Sequence, residues 1–241
     1  MKDLTALIVE DSRLARNELK ELLRAHPQIL LLGEAENADE AYKLIVELKP
    51  DLLFLDINMP GKDGFELLEM LDEVPAVIFT TAYDEYAIKS FEYNALDYLL
   101  KPISSERFAR SLHKLSEQLK PADTKLEGGR LGEDSRIFIK DGERCWLVRI
   151  GDVNRFEIVG NYTRVYFEGE HPMLYKSLNQ VAEKLPGRIF FRANRQEIVN
   201  IHAIAEVIPW FNGKLKLRLL DGAEIEVSRR QSSEFRDRMS L

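Results

Sequence analysis

The 241-residue sequence contains a single cysteine, Cys145, and no run of 18 apolar residues. One cysteine excludes an internal disulfide and a cysteine-rich metal site. The lack of a long apolar run excludes a membrane-spanning helix, so we expect no membrane insertion. The start of the chain is too short and too acidic for a secretory signal, which leaves a cytoplasmic protein as the expectation. Charged residues make up 31% and hydrophobic residues 45% of the chain, which excludes disorder throughout.

Acidic and basic residues are unevenly distributed along the chain. Residues 1–120 carry a net charge of −9, whereas residues 136–241 carry +4. The length fits two ordinary domains, and the charge difference predicts two modules with different partners. Residues 119–135 contain three glycines and one proline with little apolar periodicity, which is typical of a linker. We therefore predict one domain over residues 1–118 and another over residues 136–241.

Short apolar runs alternate with helical patterns through the first half of the chain. The five predicted strands are Leu4–Val9, Ile29–Leu32, Leu52–Leu55, Ala76–Phe79 and Tyr98–Leu100. The five predicted helices are Ser12–Ala25, Ala38–Leu48, Gly64–Leu71, Tyr86–Tyr93 and Glu106–Leu119. Near-continuous apolar strands between helices indicate a parallel sheet that is covered on both faces. Right-handed connections then predict an α/β, flavodoxin-like, doubly wound fold.

The second half has a different periodicity. Polar and apolar residues alternate through Lys214–Leu219 and Ala223–Val227, which flank an Asp-Gly turn signal. Only Leu178–Leu185 and Ser232–Met239 have a helical pattern. We predict a mostly β domain with antiparallel pairing.

Three acidic residues end two of the predicted strands. Glu10 and Asp11 follow the first strand, and Asp56 follows the third. These strands are neighbours in the flavodoxin-like order, and ligands bind beyond the carboxyl ends of parallel strands, so the carboxylates should converge. Clustered carboxylates repel one another unless a cation joins them, and Mg²⁺ suits a site that also takes phosphate oxygens. Any one of these residues taken alone fits the solvated rim of a sheet equally well.

The same edge is predicted to carry hydroxyl groups and an ammonium group. Thr80 and Thr81 end the fourth strand, and Lys101 follows the fifth. A carboxylate, a metal, a hydroxyl and a lysine are together the groups needed for phosphoryl transfer. In this hypothesis Asp56 attacks phosphorus, the metal and Lys101 neutralise the phosphoryl oxygens, and the hydroxyl donates to one of them.

Four stretches of this half resemble a known family. They are Leu7-Ile-Val-Glu-Asp11, Phe54-Leu-Asp-Ile-Asn-Met-Pro-Gly-Lys-Asp-Gly64, Thr80-Thr-Ala82 and Asp97-Tyr-Leu-Leu-Lys-Pro102. Together they resemble the receiver domain of two-component response regulators, over residues 1–118. The resemblance implies that a sensor histidine kinase phosphorylates Asp56. It also implies that Mg²⁺ is held by Glu10, Asp11, Asp56 and the backbone carbonyl of Asn58.

The same resemblance implies roles for residues on the fourth and fifth strands. Thr81 is the switch hydroxyl, Tyr98 is the switch aromatic residue, and Lys101 contacts the phosphoryl group. The peptide bond between Lys101 and Pro102 is expected to be cis. Phosphorylation is expected to favour a homodimer through the fourth helix, fifth strand and fifth helix, with Asp97 among the polar residues of that face.

Turns in the second half mix Arg with Asn, Ser, Thr and Tyr, side chains that donate to phosphates and base edges. Any one of these clusters also fits a solvated rim. Three stretches, Glu157–Thr163, Phe191–Asn200 and Val227–Arg230, resemble the LytTR-type DNA-binding domain over residues 137–239. The resemblance implies an elongated arrangement of β-sheets whose loops enter successive major grooves, commonly bending the DNA.

Six residues are carried over from this resemblance as DNA contacts. They are Asn161, Thr163, Lys176, Ser177, Arg229 and Arg230. We expect the two arginines to project from the end of the strand Glu224–Val227. Asn194 stands where the family pattern has a histidine, and it can form hydrogen bonds but cannot become charged.

We therefore interpret the chain as a phosphorylation-controlled, DNA-binding response regulator that acts on transcription and is not an enzyme. Two alternatives remain open. A haloacid-dehalogenase-type phosphatase also uses an aspartyl nucleophile, but that class needs a second aspartate two residues later, where this chain has Asn58. Alternatively, the β-rich half binds a protein instead of DNA.

Overall fold

The computed structural model describes residues 4–82, 97–118, 131–142 and 144–239. These residues form two compact units. The first contains the described residues up to Gln118, together with Arg136–Phe138, Gly142 and residues 144–147. The second contains residues 131–135, Ile139–Asp141 and the chain from Val148 onward. The predicted helix Tyr86–Tyr93 and most of the predicted linker lie outside the described residues.

A five-stranded parallel sheet with the strand order β2-β1-β3-β4-β5 forms the centre of the first unit. Its strands are β1 Leu4–Val9, β2 Ile29–Ala35, β3 Leu52–Asp56, β4 Ala76–Thr81 and β5 Asp97–Leu100. The helices described around it are α1 Arg13–Leu23, α2 Ala38–Leu48, α3 Gly64–Met70 and α4 Ser105–Gln118. This arrangement confirms the predicted doubly wound α/β fold.

The central strands are apolar on both faces, as the near-continuous runs predict. Every residue of β3 is buried. On one face Phe54 stacks on Phe108 of α4, with ring centroids 5.3 Å apart. On the other, Phe79 of β4 meets Phe65 of α3 edge-on at 5.4 Å. Burial of both faces leaves the ends of the strands as the exposed part of the sheet.

Strands β6 Arg136–Asp141 and β7 Arg144–Arg149 form a two-stranded sheet. Phe138 of β6 stacks on Phe65 at 6.3 Å, and the Val74 N–H donates to the Arg136 carbonyl at 2.8 Å. The core of the first unit therefore includes residues that the sequence assigns to the second domain.

Two antiparallel sheets build the second unit, which confirms the prediction of a mostly β half. One has the order β10-β9-β8-β12-β11 and the other the order β13-β14-β15. The strands are β8 Arg155–Val159, β9 Tyr162–Tyr166, β10 Met173–Leu174, β11 Phe190–Arg192, β12 Glu197–Asn200, β13 Ile204–Pro209, β14 Leu215–Leu219 and β15 Glu224–Val227. The helices are α5 Leu178–Lys184 and α6 Arg229–Met239.

Helix α6 covers the apolar face of the three-stranded sheet. Phe235 meets Phe191 edge-on at 5.0 Å, and the Leu215 N–H donates to the Ser232 hydroxyl at 3.0 Å. The helix begins three residues before the predicted start at Ser232. The reason is local, because the Ser228 carbonyl accepts from the Ser232 N–H at 2.8 Å and its hydroxyl accepts from the Gln231 N–H at 3.4 Å.

Among the described residues, no helix is both long enough and apolar enough to cross a membrane.

Candidate functional site

The three predicted acidic residues lie together at the carboxyl edge of the parallel sheet. Strands β1 and β3 are neighbours in register, with Val9 beside Leu55, so the residues that follow them meet. Oxygens of the Glu10, Asp11 and Asp56 carboxylates lie within 4.8 Å of one another. Glu10 and Asp56 are buried and Asp11 is exposed. The cluster therefore has one open side, toward solvent.

Lys101 joins two of these carboxylates. It follows β5, and its Nζ donates to the Glu10 carboxylate and to Asp56 Oδ2, the latter at 2.7 Å. Its backbone N–H donates to the Thr81 carbonyl at 2.8 Å, and its peptide bond to Pro102 is cis. Burial alone would lower the pKa of Lys101, but the bonds to Asp56 and Glu10 outweigh burial and raise it. The lysine is therefore a permanent positive charge in the site.

Burial has the opposite consequence for Glu10. Desolvation raises the pKa of this carboxyl, and the nearby Asp56 charge raises it further, against the lowering effect of the Lys101 bond. One ammonium group thus neutralises only part of a cluster of three carboxylates. The remaining negative charge favours a further cation.

Backbone atoms of the β3–α3 connection hold Asp56 in place. The Asn58 N–H donates to Asp56 Oδ1 at 3.1 Å. Gly64, the first residue of α3, donates its N–H to the Ile57 carbonyl at 2.9 Å. A Cβ atom on Gly64 would lie 2.5 Å from the Asp56 carbonyl oxygen, so this close approach requires glycine.

Arg16 is a residue of this site that the sequence reasoning missed. Its Nη1 donates to the carbonyls of Glu10 at 2.8 Å and Asp11 at 3.0 Å, and its Nη2 pairs with Glu36. The guanidinium fixes the backbone that carries the two acidic side chains. The available signal was an arginine on the same face of α1 as Leu19, where an apolar residue is expected.

The two predicted switch residues lie on adjacent strands. Thr81 ends β4 and is buried, and Tyr98 lies in β5, partly buried against the core next to Phe79.

Asp97 is not an exposed member of a dimer face, contrary to expectation. It is buried and accepts hydrogen bonds from Arg107 at 2.6 and 2.7 Å, from Ser111 at 2.6 Å and from Lys114 at 3.2 Å. Burial alone would raise the pKa of this carboxyl, but the Arg107 and Ser111 bonds and the others prevail and lower it well below its usual value. Its charge therefore joins β5 to α4 inside the first unit.

The predicted DNA contacts of the second unit fall into exposed and buried residues. Asn161 is exposed in the turn between β8 and β9, and Lys176 and Ser177 are partly buried in the loop before α5. Thr163 is fully buried, and its hydroxyl donates to the Lys176 carbonyl at 2.9 Å. This overturns the expectation that Thr163 touches DNA, because its hydroxyl positions the Lys176 loop instead. The Ser177 hydroxyl caps α5 together with Gln180.

Arg229 and Arg230 are exposed, but they do not extend the strand as expected. They occupy the first turn of α6, because Ser228 caps this helix and the chain leaves the direction of β15 at that residue. The helix N-terminus carries partial positive charge, which adds to that of the two guanidinium groups.

Asn194, the residue found in place of the family histidine, ties neighbouring turns together. Its amide nitrogen donates to the Glu226 carbonyl at 2.9 Å, and its oxygen accepts from the N–H groups of Gln196 and Glu197 at 2.7 and 2.9 Å. The Ile158 N–H donates to the Gln196 carbonyl at 2.8 Å. The β8–β9 turn, the β11–β12 turn and the start of α6 therefore lie along one edge. We call this the polar edge; its exposed and partly buried residues are Asn161, Lys176, Ser177, Arg195, Arg229 and Arg230.

Known proteins match nearly the whole length of this chain. The family model for the response regulator receiver domain matches residues 6–113, and that for the LytTr DNA-binding domain matches residues 143–240. The sensory transduction protein LytT of Enterococcus faecalis is 34% identical over 238 residues, covering 98% of each chain. An uncharacterized response regulatory protein of Vibrio cholerae is 38% identical over 241 residues, covering 99% of each chain. The transcriptional regulatory protein YpdB of Escherichia coli K12 is 34% identical over 242 residues, covering 98% of this chain and 99% of its own.

Both halves of the chain thus match known domains, and the relatives match along nearly their full length. Receiver and DNA-binding domains imply a histidine kinase and DNA as partners. Response regulators that carry a DNA-binding domain are a non-enzymatic family, which excludes the phosphatase alternative. The chain belongs to the LytT-type two-component response regulators, which control transcription through a receiver domain and a LytTR DNA-binding domain.

Proposed function

We propose that a sensor histidine kinase phosphorylates this protein on Asp56 and that phosphorylation promotes its binding to promoter DNA. The observation that carries the assignment is the position of Asp56, which ends a buried central strand beside two further carboxylates and directly contacts Lys101. A carboxylate nucleophile and a fixed cation are thereby within reach of one phosphoryl group.

Mg²⁺ fits this site by the chemistry of its donors. Three carboxylates within 4.8 Å of one another face a single ammonium group, and hard oxygen donors are the ligands Mg²⁺ prefers. In the proposal Glu10, Asp11, Asp56 and the backbone carbonyl of Asn58 hold the ion. The ion supplies positive charge for the phosphoryl oxygens.

The remaining residues of the receiver site have separate roles in the proposal. Lys101 Nζ donates a hydrogen bond to a phosphoryl oxygen, which replaces part of its present bonding to the Asp56 carboxylate. The Thr81 hydroxyl donates to another oxygen, and Tyr98 on the neighbouring strand follows Thr81 as the switch aromatic residue. Thr81 ends β4, and Tyr98 on β5 pairs with Phe79, two residues before Thr81, which supports coupling of their positions.

Promoter DNA is assigned to the polar edge, through Asn161, Lys176, Ser177, Arg229 and Arg230. Amide, hydroxyl and guanidinium donors on a domain of positive net charge suit phosphates and base edges. We assign the receiver to residues 1–118, the linker to 119–135 and the DNA-binding domain to 136–241, and we place the protein in the cytoplasm. Dimerisation upon phosphorylation raises the effective concentration of the second DNA-binding domain.

The test compares the wild-type full chain with Asp56→Asn, and uses Asp39→Asn as a control, because Asp39 is an exposed aspartate on α2. Acetyl phosphate and Mg²⁺ should add one phosphoryl group to the wild type and to the control but not to Asp56→Asn, as measured by intact mass. Only the phosphorylated proteins should sediment as dimers and retard genomic promoter fragments. Equal phosphorylation of Asp56→Asn would refute the site. Phosphorylated wild type that binds no DNA would favour the protein-binding alternative.

A further inference from the structure

An exposed aromatic turn connects β13 to β14. We call it the aromatic tip; it comprises residues 210–214. Phe211 is 73% exposed, and its ring meets that of Trp210 edge-on at 5.1 Å. A large apolar side chain that projects this far contributes little to the core of its own domain, and neither the phosphoryl site nor the polar edge includes it.

The aromatic tip lies at one end of the polar edge. Leu215, the first residue of β14, pairs with Val227, the last residue of β15, so the turn before β14 stands beside the start of α6. Lys214 Nζ lies 3.8 Å from Glu226 Oε2, which forms an ion pair between the turn and β15. Arg236 of α6 donates to the Gly213 carbonyl at 3.0 Å. The tip therefore continues the row of turns that ends with Arg229 and Arg230.

Local bonds hold the tip in one conformation. The Trp210 N–H donates to the Lys214 carbonyl at 2.9 Å, and the Lys214 N–H donates to the Phe211 carbonyl at 3.2 Å. Asn212 and Gly213 have φ values of 54° and 74°, which turn the chain tightly. Lys216 lies 3.8 Å from the centre of the Trp210 ring and covers one face of it. Phe211 is thus presented by a rigid turn, so a partner that binds it does not have to order the loop first.

The charge around the tip selects the kind of partner. Glu226 is matched by Lys214, and Glu224 by Lys216 at 3.0 Å. Within the described residues Arg229 and Arg230 form no ion pair, so the first turn of α6, which follows the strand paired with Leu215, carries unmatched positive charge. An apolar side chain beside unpaired guanidinium groups fits a polyanion that also has apolar surface. DNA has both, in its phosphates and in its sugars and thymine methyl groups.

We infer that the aromatic tip is an additional DNA-contacting element, in which Phe211 makes an apolar contact with a sugar or a thymine methyl group while Lys214 approaches the adjacent phosphate. This inference rests on the proposed DNA-binding function and extends the polar edge by one turn. It predicts two energetically different contributions. The Phe211 contact involves no charge and is independent of salt, whereas the Lys214 contact releases counterions and weakens as salt rises.

The experiment uses the full chain with beryllofluoride and Mg²⁺, and a duplex selected by the wild-type protein from a randomised 40-bp pool. Phe211→Ala should weaken binding about tenfold, within the range expected for loss of a buried phenyl contact, with the slope of log affinity against log salt unchanged. Phe211→Leu should recover part of the loss. Lys214→Gln should lower the slope by about one phosphate contact. Duplexes with uracil in place of thymine distinguish the two kinds of contact. If Phe211 touches a thymine methyl group, Phe211→Ala should bind the uracil duplex as tightly as the wild type does. If Phe211 touches a sugar, Phe211→Ala should still weaken binding to that duplex.

Leu220 supplies a matched control. It is 72% exposed and follows β14 at the opposite end of the same sheet, so Leu220→Ala removes a similar exposed side chain away from the proposed contact. Leu220→Ala should bind as the wild type does. Binding of DNA by Phe211→Ala with wild-type affinity would overturn the inference. So would a failure of Phe211→Ala to dimerise in a measurement made in the absence of DNA, because this would assign the tip to a contact with a second copy of the chain. If the wild type selects no duplex at all, the proposed DNA-binding function itself fails.

Discussion

The close approach of Gly64 to Asp56 makes Gly64→Ala a sensitive probe of the receiver site. The added Cβ would lie 2.5 Å from the Asp56 carbonyl oxygen and 3.2 Å from Ile57 Cα. Neither atom belongs to a flexible side chain, so the clash cannot be relieved by a rotamer change. The first turn of α3 or the end of β3 must move instead.

The expected magnitude follows from the size of the overlap. Ordinary contact of a Cβ begins near 3.4 Å, so the methyl group penetrates the carbonyl by about 0.9 Å. Overpacking of this kind costs about 1–3 kcal/mol, while alanine is favoured over glycine in a helix by up to about 1 kcal/mol. We expect Gly64→Ala to lower the free energy of unfolding by about 1–2 kcal/mol and to weaken Mg²⁺ binding, because Asp56 moves with its backbone.

Gly33→Ala is the matched control in the same sheet. A Cβ there would lie 3.5 Å from Leu7 Cδ1, which is ordinary contact, so the change should be neutral or stabilising by about 0.5 kcal/mol. Urea unfolding followed by circular dichroism measures both variants, and calorimetry measures Mg²⁺ affinity. Unchanged stability and unchanged Mg²⁺ affinity in Gly64→Ala would refute the argument that the close approach positions Asp56.

Two further predictions concern a buried charge and the DNA contacts. The lowered pKa of Asp97 adds stability above the pKa of the unfolded carboxyl, and this stability is lost as the pH falls toward the folded pKa. Asp97→Asn should therefore lower the free energy of unfolding at pH 7 by about 2 kcal/mol. This is less than for a fully buried ion pair, because Arg107 is partly exposed. The variant's thermal midpoint should also depend less on pH in the acid range than that of the wild type. Arg229→Ala should reduce discrimination between cognate and mutated duplexes by about 1–3 kcal/mol, whereas Lys176→Ala should weaken both equally; salt-dependent binding assays decide between these outcomes, and full discrimination by Arg229→Ala would make Arg229 a phosphate or structural residue.

The convergence of the acidic residues and Lys101 was predictable because it depends only on strand position. In a parallel sheet all strands end at the same edge, so a residue that follows an apolar run is placed without knowledge of any side-chain contact. Asp56 and Lys101 are 45 residues apart in the sequence, yet the strand pattern alone brings them to one edge, where they form a 2.7 Å contact. The same logic located Glu10 and Asp11.

Residues whose role depends on packing were misjudged or missed. Thr163 sits beside polar turn residues in the sequence, but the pleat directs its side chain inward, where the hydroxyl bonds to the Lys176 carbonyl. The sequence shows Asp97 only as a charged residue before the apolar run Tyr98–Leu100. It does not show that Arg107, ten positions later, lies over it once α4 packs on β5. Arg16 was missed because its Nη1 bonds go to backbone carbonyls, which residue types do not specify, and the only signal was a charged residue on the apolar face of α1.

The sequence by itself determined the parallel sheet, the antiparallel second half and the convergence of the acidic residues, since these follow from the spacing of apolar residues and from the strand ends. The tertiary structure alone decided that Asn194 links neighbouring turns and that the aromatic tip stands beside α6. Both depend on a hydrogen bond or strand pairing between segments distant in sequence, such as Asn194 with Glu226 or Leu215 with Val227. The start of α6 at Arg229 depends instead on the local Ser228 cap, which the apolar pattern does not report. Hydrophobic periodicity reports which side of an element is buried, but it does not report which other element covers that side.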